Sequence, residues 1–406
     1  MANRAQVFIF MQQNNSMKKR KWLIGILLGL ALLYVLAVVI VPKTLDKQKN
    51  TTKQLPPYQV SEKAQSLYNS LDFIADLHCD ALLWSRDLTI KNSIGHVDFP
   101  RMEEANMALQ AFTIVTKSPV GQNFSKNTAE TFDNITLLNF VQGRPLSNWF
   151  SLFERAAYQS RRLHKFATDY NDEFIVVKNT DDLNRLIALR NQNKRVTGGF
   201  LGLEGAHCLE GKIENLDKLY KEGVRMVGPT HFFDNELGGS AHGVSKGGLS
   251  DFGRDVIQRM DELGMFVDLA HAAPALIDDV LAETKNPVLV SHTGVRGTLD
   301  NSRNLSDAHI QKIATNGGLI GVAFFKGAVT APLIKGIVDA MKYIKSIAGV
   351  ECIALGSDYD GTIAAPFDVT GLPLLVEELL NQGFQESEIK MIMGENVKRF
   401  MLENLK

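Results

Sequence analysis

The chain has 406 residues, 45% of them hydrophobic and 22% charged, and a formal net charge of −1. A large core is affordable at that size, and the body carries no long basic stripe, which argues against nucleic acid as a partner. The three cysteines, Cys79, Cys208 and Cys352, are odd in number and lack CxxC spacing, which argues against a disulfide framework and a cysteine zinc finger.

In chain order, the first feature is a basic cluster, Lys18 to Lys21, followed by Trp22 to Val41 without one charged side chain. Twenty residues at 1.5 Å rise span about 30 Å, the thickness of a bilayer's hydrocarbon core. A signal peptide has a shorter apolar run, about 7–15 residues, and then small residues at a cleavage site. Here the run ends in Val-Ile-Val-Pro, so an uncleaved anchor over 22–42 is expected. Residues 1–21 would stay in the cytoplasm and the body would face out, periplasmic or extracellular. Lys43, Lys47, Lys49 and Lys53 on the other side weaken the charge asymmetry behind that orientation. Residues 43–70 are polar, contain Pro56 and Pro57, and read as a linker with a short helix near Ser61 to Ser70.

The body, 71–406, carries short apolar runs at Phe73–Leu77, Leu109–Val115, Gly199–Leu203, Val224–Val227, Met265–Leu269, Val288–Val290, Leu319–Phe325 and Cys352–Leu355. Short runs rich in β-branched and aromatic residues read as buried parallel strands. Helical patterns lie between them, for example Asp251–Leu263, with Ser250 as its cap, and Ala275–Glu283. Eight strands alternating with helices predict an α/β fold, a TIM-type (β/α)8 barrel. An open doubly wound sheet is the alternative. The stretch from Thr116 to Arg195 is too long for one crossover. Its Trp149–Phe166 part has a helical pattern, so an insertion over the barrel mouth is expected.

Active sites of such barrels lie at the C-terminal ends of the strands. His78 and Asp80 follow run one, Glu204 follows run three and His231 follows run four. His271 and His292 follow runs five and six, and Asp358 and Asp360 follow run eight. At the end of an extended strand residues i and i+2 point the same way, so His78 and Asp80 can share one cation. A His-x-Asp pair alone is common by chance, and a lone histidine is more often a satisfied core or surface residue. Such residues at several separate strand ends are hard to explain as packing.

With these residues placed, the body resembles the membrane (renal) dipeptidases, two-zinc peptidases related to the amidohydrolase barrels. The resemblance rests on Asp76-Leu77-His78-Cys79-Asp80, Gly95 to Arg101, Leu203 to His207, Gly223-Val224-Arg225, Thr230-His231 and Gly248 to Gly253. It continues through Leu263 to His271, Val290-Ser291-His292, Ser302 to Leu305, Leu355 to Gly361 and Gly394-Glu395-Asn396, in family order. The resemblance implies two Zn2+ per chain and dipeptide hydrolysis by a hydroxide bridging them, with C-terminal D-residues accepted in the family. His78 and Asp80 would hold one zinc and His271 and His292 the other, with Glu204 bridging. His231 would polarise the scissile carbonyl, Arg303 would hold the substrate carboxylate and Asp358 would move the proton. The expected partners are a dipeptide and, through the N-terminal helix, the membrane; a homodimer is left open.

Four features depart from the family pattern. Cys79 separates two ligands, Ala270 stands where a serine is common, Phe324 and Phe325 are followed by no tyrosine, and Gln122–Asn148 has no counterpart. A related binuclear amidohydrolase acting on another amide or a lactone is the competing function, and a non-catalytic tethered binding protein is the third. His207 and His242 are read as supporting residues, His96 and His309 as structural.

Overall fold

Parallel strands buried on both faces need apolar side chains on both faces, which is why these runs do not alternate. In the computed structural model, which describes residues 2–170, 173–192 and 195–406, eight such strands form. They are β1 (Ile74–Cys79), β2 (Met107–Val115), β3 (Thr197–Glu204), β4 (Val224–Val227), β5 (Phe266–Val267), β6 (Leu289–Thr293), β7 (Leu319–Val322) and β8 (Ile353–Leu355). Each coincides with one of the eight apolar runs. They lie in the order β5-β4-β3-β2-β1-β8-β7-β6, all neighbours parallel. The two ends of that order meet through a parallel bridge from Asp268 to Leu289, with Leu269 N donating to Leu289 O at 2.8 Å. The sheet is therefore a closed barrel, and the doubly wound alternative is excluded.

The outer helices bury the faces their spacing predicts. In Asp251–Leu263 the buried residues include Val256, Ile257 and Met260, one stripe of a 3.6-residue period. Ser250 Oγ accepts from Gly253 N at 2.9 Å and caps its start. The β2–β3 connection holds the insertion: helices Asn134–Val141, Ser147–Phe150 and Leu152–Asp169, a short strand Phe174–Val176 beside the start of β3, and helix Thr180–Gln192. Residues 171–172 and 193–194 of the expected Thr116–Arg195 insertion, and Met1 of the expected 1–21 stretch, lie outside the described residues.

The N-terminal helix runs unbroken from Ala2 to Lys49. Its Met17–Lys49 part is, among the described residues, the one helix long and apolar enough to cross a membrane. The segment expected as a linker departs from that expectation. Residues 43–49 continue the helix, and Thr51–Thr52 pair in parallel with Ala364–Ala365. The short helix is Glu62–Asn69, capped by Ser61. The docking has a specific cause. Buried Arg86 sits between two buried carboxylates, its Nε 2.7 Å from Asp46 Oδ2 and its Nη2 2.8 Å from Asp360 Oδ2. Removing the central charge strands both acids, and breaking a buried pair costs about 3–5 kcal/mol. Arg86→Ala should therefore lower the thermal midpoint of the full chain in detergent by several degrees. An unchanged midpoint would mean that this bridge does not hold helix to barrel.

Candidate metal centre

The C-terminal ends of β1, β3, β5, β6 and β8 converge on one point. His78 Nε2 lies 3.6 Å from Asp80 Oδ1, 3.5 Å from Glu204 Oε1 and 4.0 Å from Asp358 Oδ1. His271 Nε2 is 3.0 Å from both Glu204 Oε1 and His292 Nε2, and His292 Nε2 is 3.5 Å from Glu204 Oε1. Glu204 Oε2 faces His231 Nε2 at 3.3 Å. The strand ends thus bring together all five expected ligands, with His231 and Asp358 beside them. Within each of the sets His78–Asp80–Glu204, Glu204–His271–His292 and His78–His292–Asp358, the potential ligand atoms lie within 4.8 Å of one another.

These distances fit cations. Ligand atoms about 2.1 Å from a tetrahedral zinc lie roughly 3.4 Å apart, close to the spacings above. His78 Nε2 is buried and has no hydrogen-bond partner, a costly state that a cation would relieve. The carboxyl groups of Glu204 and Asp358 are held well above their usual range by burial and by the nearby Asp80 charge. Burial holds His271 and His292 well below theirs, so both keep a free lone pair. Burial also opposes charge on His78, but Glu204, Asp80 and Asp358 outweigh it and lift His78 to about 10.

Without a cation, His78 carries a proton at neutral pH, and ligation requires that proton to leave. Zinc uptake at pH 7 should release protons, and its affinity should rise with pH. Titration calorimetry in two buffers of different ionisation enthalpy reads this directly. Heats that do not depend on the buffer would contradict it.

Local backbone serves the site. His271 and Asp358 each have φ +62°, a left-handed conformation uncommon for such residues and often found where a side chain must be aimed. A Cβ on Gly361 would lie 2.0 Å from Asp358 Oδ1 and 3.0 Å from Asp80 Oδ2, so only glycine leaves both carboxylates room. Asp360, two residues on, points away: it takes His96 N at 2.8 Å and pairs with Arg86. Asp268 Oδ1 accepts from Ala270 N at 3.0 Å and Ser291 N at 2.8 Å, tying β5 to β6. Cys79 faces the core and is fully buried, and burial holds its thiol well above the usual range. His207 and His242 are buried beside the site, bonded to Thr116 Oγ1 and Phe124 O. His96 braces the Asp360 turn and His309 pairs with Asp278.

Sequence reasoning gave no role to Ser291 or Thr113. Ser291 Oγ lies 2.9 Å from His78 Nδ1 and 3.0 Å from His292 Nδ1. If both Nε2 atoms bound cations, both Nδ1 atoms would carry protons and this one oxygen would accept two hydrogen bonds. Thr113 Oγ1 donates to Asp80 Oδ1 at 2.6 Å. The signal for Ser291 was its place directly before a ligand; nothing in the sequence singles out Thr113.

The site floors a cavity of about 940 Å³ whose walls include Trp84, Phe124, Phe232 and Phe325. Arg303 lines it too. Its Nη2 donates to His292 O at 2.6 Å and Nη1 to Thr293 Oγ1 at 3.3 Å, and its Nε has no hydrogen-bond partner. Burial lowers this guanidinium to about 10, so it stays charged at neutral pH. The arrangement can therefore bind two cations, polarise a carbonyl and hold an anion.

Comparison with known proteins gives the following. A family profile described as Membrane dipeptidase (Peptidase family M19) matches residues 61–405. An uncharacterized dipeptidase of Schizosaccharomyces pombe is 28% identical over 355 residues, 83% of this chain and 79% of that protein. Dipeptidase 3 of Mus musculus is 31% identical over 239 residues, 56% of this chain and 47% of that protein. The crystal structure of a metallo peptidase from Rhodobacter sphaeroides, liganded with a phosphinate mimic of the dipeptide L-Ala-D-Ala, shares the fold. Its TM-score is 0.64 at 21% identity, covering 82% of this chain and 99% of that one.

Proposed function

The chain belongs to the membrane dipeptidase family of metallopeptidases, and from that premise we propose that it hydrolyses dipeptides with a free C-terminal carboxylate at a two-zinc centre. The observation that carries this reading is Arg303, a buried cation on the wall of the cavity that holds the ligand cluster. A guanidinium fork suits a carboxylate, and a fixed carboxylate next to the reacting carbonyl admits only very short peptides.

Each residue then has one task. His78, Asp80 and Glu204 would hold one zinc, and Glu204, His271 and His292 the other; imidazole and carboxylate donors are those that zinc prefers. Such cations, when bound, would lower the pKa of a water at the site and supply Lewis acidity toward the carbonyl. His231, kept neutral by burial, donates a hydrogen bond to the carbonyl oxygen as its charge develops. Water oxygen adds to the carbonyl carbon, and Asp358 takes the proton and returns it to the leaving nitrogen as the C–N bond breaks. A C-terminal D-residue is within this reading, supported by the L-Ala-D-Ala mimic bound to the Rhodobacter sphaeroides relative. Residues 22–42 anchor the chain, with 1–21 in the cytoplasm and the barrel outside.

The test is a panel of L,L and L,D dipeptides, each paired with its C-terminal amide. The free acids should be cleaved, and the amides should react at least about 100-fold more slowly, the loss of one charge-assisted pair. Equal rates would remove the carboxylate clamp from the account.

A further inference from the structure

One side of the insertion lines the cavity over the metal cluster, through Leu137, Leu138 and Val141; another side does not. From Asn134 to Phe150 the only charged residue is Arg144, and its guanidinium is buried, with Nη2 donating to Leu83 O at 2.6 Å. Away from the cavity this stretch exposes large apolar side chains, Phe140 at 40%, Leu146 at 62% and Phe150 at 82%, with Ser147 the one exposed polar side chain among them. An apolar patch of that kind on a polar body marks an interaction surface.

Its position says with what. The Phe140 ring lies 5.0 Å from the Tyr34 ring, and Tyr34 Oη donates to Phe140 O at 3.1 Å. Val38 Cγ1 would be 3.1 Å from a Cβ on Gly143. The Trp149 ring is 5.0 Å from that of Phe140, and Phe150 follows directly. Tyr34 and Val38 belong to the uncharged run that ends at Val41. At 1.5 Å per residue, Tyr34 stands about 10 Å inside the end of that run. The side chains packed against it share its depth, and a surface immersed about 5–10 Å in the interface is how proteins lie on membranes without crossing them.

We propose that the 134–150 segment is a second membrane contact, its apolar face seated in the same bilayer that holds helix 22–42. The inference rests on reading that helix as membrane-inserted. It has a consequence for the active site. Val41, Leu45, Leu138 and Val141 line the cavity that Glu204 and His231 floor, so that cavity reaches the helix where its uncharged run ends.

The three native cysteines are buried, so an introduced surface cysteine can be labelled selectively. The full chain is reconstituted in phosphatidylcholine vesicles with a polarity-sensitive fluorophore at Phe150→Cys, Leu146→Cys, Leu30→Cys or Glu351→Cys. Quenching by lipids spin-labelled in the acyl chain is then read, on variants whose melting matches the unmodified chain. Positions 30, 146 and 150 should be quenched several-fold and position 351, exposed just before β8, should not. Quenching at 30 but not at 146 or 150 would overturn the second contact and leave the anchor standing. No quenching at 30 would overturn the anchor, and the proposal with it.

Discussion

Glu204→Gln should reduce dipeptide hydrolysis by at least about 1,000-fold. Glu204 Oε1 lies within 3.5 Å of His78, His271 and His292, so one substitution should weaken both proposed cation sites at once. Loss of the cations removes several kcal/mol of transition-state stabilisation, and each 1.36 kcal/mol is tenfold in rate. Metal content should fall below two per chain in the same sample. The fold should survive, because the metal-free chain holds Glu204 with its carboxyl pushed well above the usual range, and an amide of the same shape avoids that burial cost. Elemental analysis, steady-state rates and a melting curve on one preparation separate these effects. A variant with full metal and normal turnover would show that Glu204 bridges nothing.

Arg303→Ala should lower kcat/KM for dipeptides by about 100-fold or more. A hydrogen bond to a charged group contributes about 1.5–3 kcal/mol, and a guanidinium can make two to one carboxylate. Arg303→Lys should recover only part, since an ammonium lacks the fork. A C-terminal amide or a neutral lactone should be affected little. That contrast separates a dipeptidase from a related amidohydrolase using the same metals. Uniform loss across all substrates would instead mean that Arg303 props up β6 through His292 O and Thr293 Oγ1.

Much of this was legible because parallel barrel strands are apolar on both faces and end where the polarity changes. All eight runs became strands, and the residues following them supplied the cluster. The i, i+2 rule placed His78 and Asp80 on one side and Cys79 on the other, in the core. What was not legible was nonlocal. The barrel closes through Asp268 and Leu289, a pairing no local pattern marks. Residues 43–70 read as a linker because they are polar, yet Asp46 is buried against Arg86, forty positions away in sequence. Composition cannot show that partner. Helix Asn134–Val141 was missed because it is short and buries only Ile135 and Asn139, so no stripe points to the core, and the helix expected over Trp149–Phe166 is two, broken at Ser151. Asp358 and Asp360 sit on one turn with similar φ, and only their partners distinguish them.

The most direct test of the central claim is to count metals and follow activity together. The full chain, purified in detergent, should carry two zinc ions. A chelator should remove both metal and dipeptide hydrolysis, and zinc alone should restore hydrolysis in proportion to the second equivalent bound. A chain that cleaves dipeptides at an unchanged rate after its metal content has fallen to zero would contradict the account.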